Sequence, residues 1–214
     1  MLVGERMTRR PITTAPDTPI DDALKLMRES KVRRLPVLDK KGKLVGIVTE
    51  KDLLYVSPSP ATSLSVYELH YLISRIKVQD VMCKDVITAT EYTPLEEAAR
   101  IMADNKIGSL PVMRDGKLVG IITETDAFKI FLELFGAREK GIRLTMLVPE
   151  EKGMLATITH DIAKMGGNII SLGTFLGDDP TTRLITIKVS EVGQDELVSA
   201  MEALGTEVVD VREI

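Results

Sequence analysis

The chain is poor in the residues that most catalytic and metal sites use. It has one cysteine and two histidines in 214 residues. A single cysteine excludes an intramolecular disulfide and suggests a reducing compartment. The two histidines, His70 and His160, lie far apart in sequence and offer no histidine-rich metal set. Tryptophan is absent and aromatics make up 4% of the chain, so a stacking platform for bases is not expected. No apolar stretch reaches about 18 residues, the length at which a membrane span is suspected. No leading segment has the pattern of a secretory signal. Cytoplasm is the expected location, without membrane association. A net charge of −4 and a pI of about 5.4 disfavour broad nucleic-acid binding, though a local basic patch is compatible with them. There is no P-loop, no serine elbow and no acidic pair with a visible acid–base division. Cys83 lacks a sequence partner that would activate a thiolate. It reads as a small buried or half-buried side chain. The chain is therefore expected to be no enzyme and to hold no metal.

What the sequence does have is a repeat. Gly42 to Leu54 (GKLVGIVTEKDLL) matches Gly116 to Phe128 (GKLVGIITETDAF) at 9 of 13 positions. Upstream, Val3 to Leu38 lies on Val78 to Met113 without a gap, with 12 of 36 identities. One unit of roughly 50 to 55 residues thus occurs twice. The expected boundaries are 1–57 for the first copy, 58–77 for a connector and lead-in helix, and 78–135 for the second copy.

Each copy reads as strand, helix, strand, turn, strand, helix. In the first, Pro11 to Ala15 is a brief strand. Thr18, Pro19 and Asp21 announce a helix as cap, first helical residue and capping-box acid. Ala23, Leu24 and Met27 continue an apolar stripe that stops near Ser30. Arg34 to Leu38 and Leu44 to Val48 are strands around the turn Asp39 to Gly42. The second copy repeats this with Thr93, Pro94 and Glu96 at the helix start, and Leu110 to Met113 and Leu118 to Ile122 as strands. Between them, Ser57 to Ser63 reads as a loop. Val66, Leu69, Leu72, Ile73 and Ile76 then recur at helical spacing. One copy buries too little to be comfortably stable alone, so the two are expected to pack face to face.

The doubled tail carries the candidate site. Thr49 with Asp52, and Thr123 with Asp126, have the spacing of capping boxes that satisfy helix-start amides. The same helix starts also favour anions, so capping and ligand binding are both open. Arg33 and Arg34 suit phosphate, because the guanidinium fork pairs bidentately. They also fit a solvated or dimer-facing pair. Gly108 and Ser109 stand at the matching places of the second copy, so the two halves are not equivalent. Lys31 and Lys106 read as helix-end charges that complement the helix dipole.

These residues resemble the cystathionine-beta-synthase (CBS) domain family. The most specific parts are the Leu-Pro-Val strand and the Gly-x-x-Thr-x-x-Asp tail, each present twice in register. The resemblance implies a disc-like, often dimeric module with clefts for adenosine-containing ligands: AMP, ATP, NAD or S-adenosylmethionine. It implies that Thr49 and Thr123 contact phosphate or ribose, and that Asp52 and Asp126 hold ribose hydroxyls. Thr13, Thr14, Thr88 and Ala89, with Ile47 and Ile121, would line adenine, and Arg33 and Arg34 would meet phosphate.

From residue 141 to 214 the periodicity changes. Ile142 to Val148 reads as a strand and Pro149 to Gly153 as a loop. Leu155, Ile158, Ile162 and Met165 form a helical stripe stopped by Gly166 and Gly167. Ile169 to Phe175 and Arg183 to Val189 are strands, Leu197 to Leu204 a helix, and Val208 to Val211 a last strand. The order β-α-β-β-α-β is a ferredoxin-like split unit. Right-handed crossovers would give an antiparallel sheet with both helices on one face. The segment resembles the ACT domain family through Pro149 to Leu155 and Gly167 to Ile169. That resemblance implies an amino-acid site at Gly153, Leu155 and Asn168, or dimerisation alone.

The whole chain, α/β and α+β in class, resembles the acetoin-utilisation AcuB-like proteins. The implied function is that of a non-catalytic sensor, a homodimer answering a small-molecule effector and acting on an unidentified protein partner. The competing readings are a scaffold or dimerisation module with vestigial pockets and, less favoured by the acidic balance, a transcription-linked regulator.

Overall fold

The computed structural model describes residues 1–56, 75–177 and 179–214. The expected loop at 57–63, the connector positions Val66, Leu69, Leu72 and Ile73, and His70 lie outside the described residues. The chain divides into two compact units, Met1–Ala127 and Phe128–Ile214.

The first unit holds both copies. The first comprises α1 (Val3–Arg6), β1 (Thr8–Arg9), α2 (Ile20–Glu29), β2 (Arg34–Leu38), β3 (Leu44–Thr49) and α3 (Glu50–Tyr55). The second comprises α4 (Val78–Val81), β4 (Ala89–Thr90), α5 (Leu95–Asp104), β5 (Ser109–Arg114), β6 (Lys117–Thr123) and the start of α6 (Glu124–Leu134). The expected stripe of α2 is buried: Ile20, Ala23, Leu24 and Met27 pack with Leu35, Val37, Val48 and Leu53. β2 and β3 form an antiparallel pair, as do β5 and β6.

Two local expectations are corrected. The stretch 11–15 is no strand: Thr14 makes one parallel bridge, to Val37. Pro11 and Pro16 flank it, and proline supplies no ladder amide. Nor do Thr18 and Thr93 cap helices. Their hydroxyls instead accept the amides of Ala15 at 3.3 Å and Thr90 at 3.0 Å, closing the preceding turns. α2 and α5 begin one residue later than expected, with Pro19 and Pro94 at the N-cap and no side-chain cap, so Asp21 and Glu96 have no capping-box role.

Lys31 and Lys106 do more than place charge at helix ends. Both are left-handed, with φ of 54° and 53°. Lys31 donates its amide to Arg28 O at 3.2 Å and Val32 donates to Met27 O at 2.9 Å. Lys106 and Ile107 repeat this on Ala103 O and Met102 O. This is the Schellman pattern, with lysine where glycine is the usual residue.

The copies are interlocked rather than merely stacked. β1 of the first copy pairs with β6 of the second, Thr8 against Ile121 and Arg9 against Gly120. In return, Ile47 and Cys83 exchange two backbone hydrogen bonds, at 3.0 and 2.9 Å. Val78 is fully buried in the core of the first copy. Val3, also fully buried, donates its amide to Thr93 O at 2.9 Å. Each lead-in therefore completes the other copy. Gly46 and Gly120 permit the approach: a Cβ there would come within 2.5 Å of Met82 Sδ and 2.3 Å of Met7 Sδ.

The second unit contains the rest of α6, then β7 (Ile142–Pro149), α7 (Met154–Lys164), β8 (Asn168–Leu176), β9 (Thr182–Ser190), α8 (Gln194–Ala203) and β10 (Glu207–Glu213). Its strands lie in the order β10-β7-β9-β8, every neighbouring pair antiparallel. Alternate residues of β7, Ile142, Leu144, Met146 and Val148, join Ile185, Ile187 and Val189 in a core with Ile158 and Ile162 of α7 and Leu197 and Met201 of α8. This is the period of two that a sheet with one helix-covered face requires. The intervening residues are also partly covered. Thr145 and Thr186 share a hydroxyl hydrogen bond at 3.0 Å, and buried Lys188 donates to Gly136 O at 3.0 Å. In α6 only Ile130 is buried, while Phe128, Phe131 and Leu134 are exposed.

Candidate functional site

Both capping boxes form. The Thr49 amide and hydroxyl each donate to Asp52 Oδ2 at 2.8 Å, and the Asp52 amide donates back to Thr49 Oγ1 at 3.2 Å. Thr123 and Asp126 repeat this at 3.0, 2.8 and 3.4 Å. The cap engages one carboxylate oxygen of Asp52. Its Oδ1 has no partner among the described residues.

That free oxygen belongs to a residue lining a cavity of about 500 Å³. The volume falls within the range of about 300 to 1,000 Å³ common for small-molecule sites. The first copy contributes Arg33, Arg34, Ile47, Thr49, Glu50, Lys51 and Asp52. The second contributes Cys83, residues 85–87, residues 106–109 and Pro111. Arg33, Lys51 and Lys106 are exposed around the opening, and Arg34 is half-buried. Four cationic side chains thus stand against the carboxylates of Glu50, Asp52 and Asp85. A ligand with an anionic end and hydroxyls to donate matches such a wall, with the helix start of α3 beside it.

The interlocking decides which expected residues meet. Arg33, Arg34, Ile47, Thr49 and Asp52 share the cavity. Thr13, Thr14, Thr88 and Ala89 are not in its lining. Thr14 and Ala89 are buried in strand contacts to Val37 and Val112. Ile121, Thr123 and Asp126 form the corresponding helix start of the other copy, where Thr8 lies against Ile121. The apolar wall beside Thr49 and Asp52 is supplied by Val86 and Ile87 from the second copy. The repeat alignment could not show this, because a gapless register does not say which lead-in pairs with which sheet. Cys83 is corrected: it is exposed and lines the cavity, because its backbone is the strand partner of Ile47.

The second unit has a cavity of about 330 Å³ at the start of α7. Gly153 and Leu155 line it with Glu150, Glu151, Thr174 and Arg183. Gly153 is left-handed, with φ of 93°, and Arg183 donates to Glu150. Asn168 is elsewhere: it opens β8 opposite Ser190, while Thr174 and Arg183 lie toward the other end of the β8–β9 pair. Among the described residues no group of three or more histidine, cysteine or acidic side chains is placed to hold a metal. No helix among them is long and apolar enough to cross a membrane.

Comparison with known proteins places this geometry. The CBS domain pattern matches residues 3–59 and 78–133. The CBS domain pair of protein MJ0100, solved in complex with 5'-methylthioadenosine and S-adenosyl-L-methionine, is 28% identical with a TM-score of 0.52, covering 65% of this chain and 98% of that one. A protein from Vibrio cholerae described as a putative acetoin utilization protein is 33% identical with a TM-score of 0.52, covering 64% and 95%. CBSX2 of Arabidopsis thaliana, solved in complex with AMP, is 38% identical with a TM-score of 0.51, covering 61% and 96%. The two matched stretches account for more than half of the residues, and the chain belongs to the CBS domain family, of which it carries a tandem pair.

Proposed function

We propose that this chain is a non-catalytic regulatory sensor whose CBS pair binds an adenosine-containing ligand. The observation that carries this reading is the Asp52 carboxylate: one oxygen is fixed by the helix cap, the other has no partner among the described residues, and the side chain lines a cavity of ligand size. Fixing Oδ2 also orients Oδ1, so the acceptor for ribose hydroxyls is pre-positioned rather than mobile. Ile47, Val86 and Ile87 offer apolar contact for a base, while Arg33, Arg34, Lys51 and Lys106 suit phosphate. Adenosyl ligands in MJ0100 and CBSX2 support the choice. Thr123, Asp126 and Ile121 are assigned to the second, pseudo-equivalent adenosyl site. Thr14, through its bridge to Val37, and Ala89, through its pairing with Val112, supply backbone that supports the two sites, with Thr13 and Thr88 preceding them in the chain.

The domain division accompanying this function is 1–57 and 78–135 for the two CBS domains, 58–77 for the connector, and 141–214 for a ferredoxin-like ACT domain. The β-α-β-β-α-β order and the strand order β10-β7-β9-β8 support the last assignment. In it, Gly153 and Leu155 contribute to an amino-acid pocket, with Asn168 holding the turn before β8. The protein acts as a cytoplasmic homodimer, and its effector changes an interface with a protein partner. A ligand can drive such a change only by binding two states unequally.

Isothermal titration of AMP, ATP, NAD and S-adenosylmethionine tests the adenosyl reading. At least one compound is expected to bind the wild type and to bind Asp52→Asn more weakly. Absence of binding by all four would overturn it.

A further inference from the structure

Arg34 belongs to β2 of the first copy, yet its guanidinium ends against the second. A Cβ on Gly108 would stand 1.8 Å from Arg34 Nη2 and 2.7 Å from Cζ. Arg34 therefore fills the volume that a side chain at position 108 would take. There it faces Glu124, the first residue of α6, with 3.7 Å between Nη2 and Oε2. That distance is an ion pair and too long for a hydrogen bond. Among the described residues the guanidinium makes no hydrogen bond, although its side chain is only 22% exposed. Five N–H donors, largely withdrawn from water, face a cavity with one loose carboxylate beside them.

On the reading of this cleft as an adenosyl site, we propose that Gly108 and Glu124 set its selectivity for a phosphate-bearing nucleotide. Gly108 gives the guanidinium its seat across the copies. Glu124 occupies the position of a competing anion, which a ligand phosphate displaces by offering two acceptors at hydrogen-bond distance. The released Glu124 stays in the first turn of α6, where the helix dipole favours a carboxylate and offsets part of the lost pairing. Phosphate binding in the first copy is thereby exchanged against a contact at the helix start that holds Thr123 and Asp126 of the other copy.

The test is titration of the full chain with AMP and with adenosine, which lacks the phosphate. Glu124→Gln removes the competing charge and is expected to tighten AMP by about twofold to fivefold, the range of a partly exposed ion pair. Adenosine affinity is expected to stay constant. Gly108→Ala unseats Arg34 and is expected to lower the AMP-to-adenosine affinity ratio. If Glu124→Gln weakens AMP, or moves both ligands alike, the proposal is overturned while the adenosyl reading stands. If the wild type binds neither compound, nor the wider nucleotide set, the adenosyl reading fails and takes the proposal with it. Should Gly108→Ala fold poorly by circular dichroism, Glu124→Gln at its exposed carboxylate decides alone.

Discussion

Replacing Asp52 separates two roles that one carboxylate performs. Oδ2 accepts the Thr49 amide and hydroxyl, both at 2.8 Å, while Oδ1 has no partner among the described residues. Asp52→Ala deletes both oxygens. Thr49 Oγ1 still accepts the residue-52 amide, at 3.2 Å in the wild type, so half of the capping box survives. The stability loss should therefore fall in the lower part of the capping range, about 0.5 to 1 kcal/mol. Asp52→Asn keeps one carbonyl oxygen for the cap and should cost less, about 0.5 kcal/mol or below. Asparagine has only that one acceptor. When it serves the cap, an NH2 group faces the cleft where a ribose hydroxyl needs an oxygen. Hydrogen bonds to a charged group contribute about 1.5 to 3 kcal/mol, so ligand affinity should fall about 10- to 150-fold. Urea unfolding followed by circular dichroism measures the first quantity and titration calorimetry the second. Near-wild-type stability with strongly weakened binding is the expected signature of Asp52→Asn. Wild-type affinity in that variant would show that the carboxylate only caps α3.

Three further outcomes follow from the backbone, the copy interface and the surface charges. Lys31→Gly relieves a left-handed residue worth about 1 to 2 kcal/mol of strain and returns about 0.4 to 1 kcal/mol of unfolded-state entropy. A net stabilisation of about 0.5 to 1 kcal/mol is expected in urea unfolding, and any destabilisation would contradict the cap geometry. Gly120→Ala should destabilise by about 1 to 3 kcal/mol through crowding against Met7, and Met7→Ala in the same chain should recover part of that loss, as a thermal-melt double-mutant cycle would show. The Glu97 carboxyl is held below the usual carboxylate range by a side-chain hydrogen bond from Arg100. Because the folded value is depressed, any contribution to stability is present above the ordinary carboxylate range and fades as pH falls through the lowered value. An NMR titration should find Glu97 moving upward in Arg100→Ala.

Within one copy, local signals were legible because they depend on neighbours in sequence. The α2 stripe, the turn at Gly42, the Thr49–Asp52 box and the order of elements from Ile142 to Val211 all follow from short-range spacing. Thr18 shows the limit. It has the cap's chemistry and position, but its hydroxyl turns upstream to Ala15 because the prolines at 16 and 19 already fix that corner. Lys31 shows another: nothing in its side chain announces a left-handed backbone, which the Schellman geometry imposes. The candidate site was half legible. Thr49 and Asp52 were readable as a motif, whereas Cys83, Val86, Ile87 and Lys106 reach the same cavity only through pairing between copies. The Asn168 expectation depended on proximity to Gly153, and proximity across a sheet is set by strand register, which the sequence of one strand does not contain.

The same dependence on tertiary approach explains why the two copies differ where their phosphate-facing residues should correspond. Arg33 aligns with Gly108, and Arg34 with Ser109. A side chain at 108 competes for space with Arg34 rather than with its own counterpart Arg33, since even a Cβ at 108 would overlap the guanidinium of Arg34. Ser109 is buried, at 6% exposure, so an arginine there would have to carry its charge inside the unit or push outward into the same space. A symmetric pair with arginines in both copies would bring two cations and two large volumes toward one place between them. Like charges repel, and packed groups cannot overlap. The asymmetry that the repeat alignment exposes thus accompanies the seat that Arg34 takes against Gly108. It leaves one arginine able to cross, and the acidic group it meets, Glu124, lies at the helix start of the copy that gave up its own side chain.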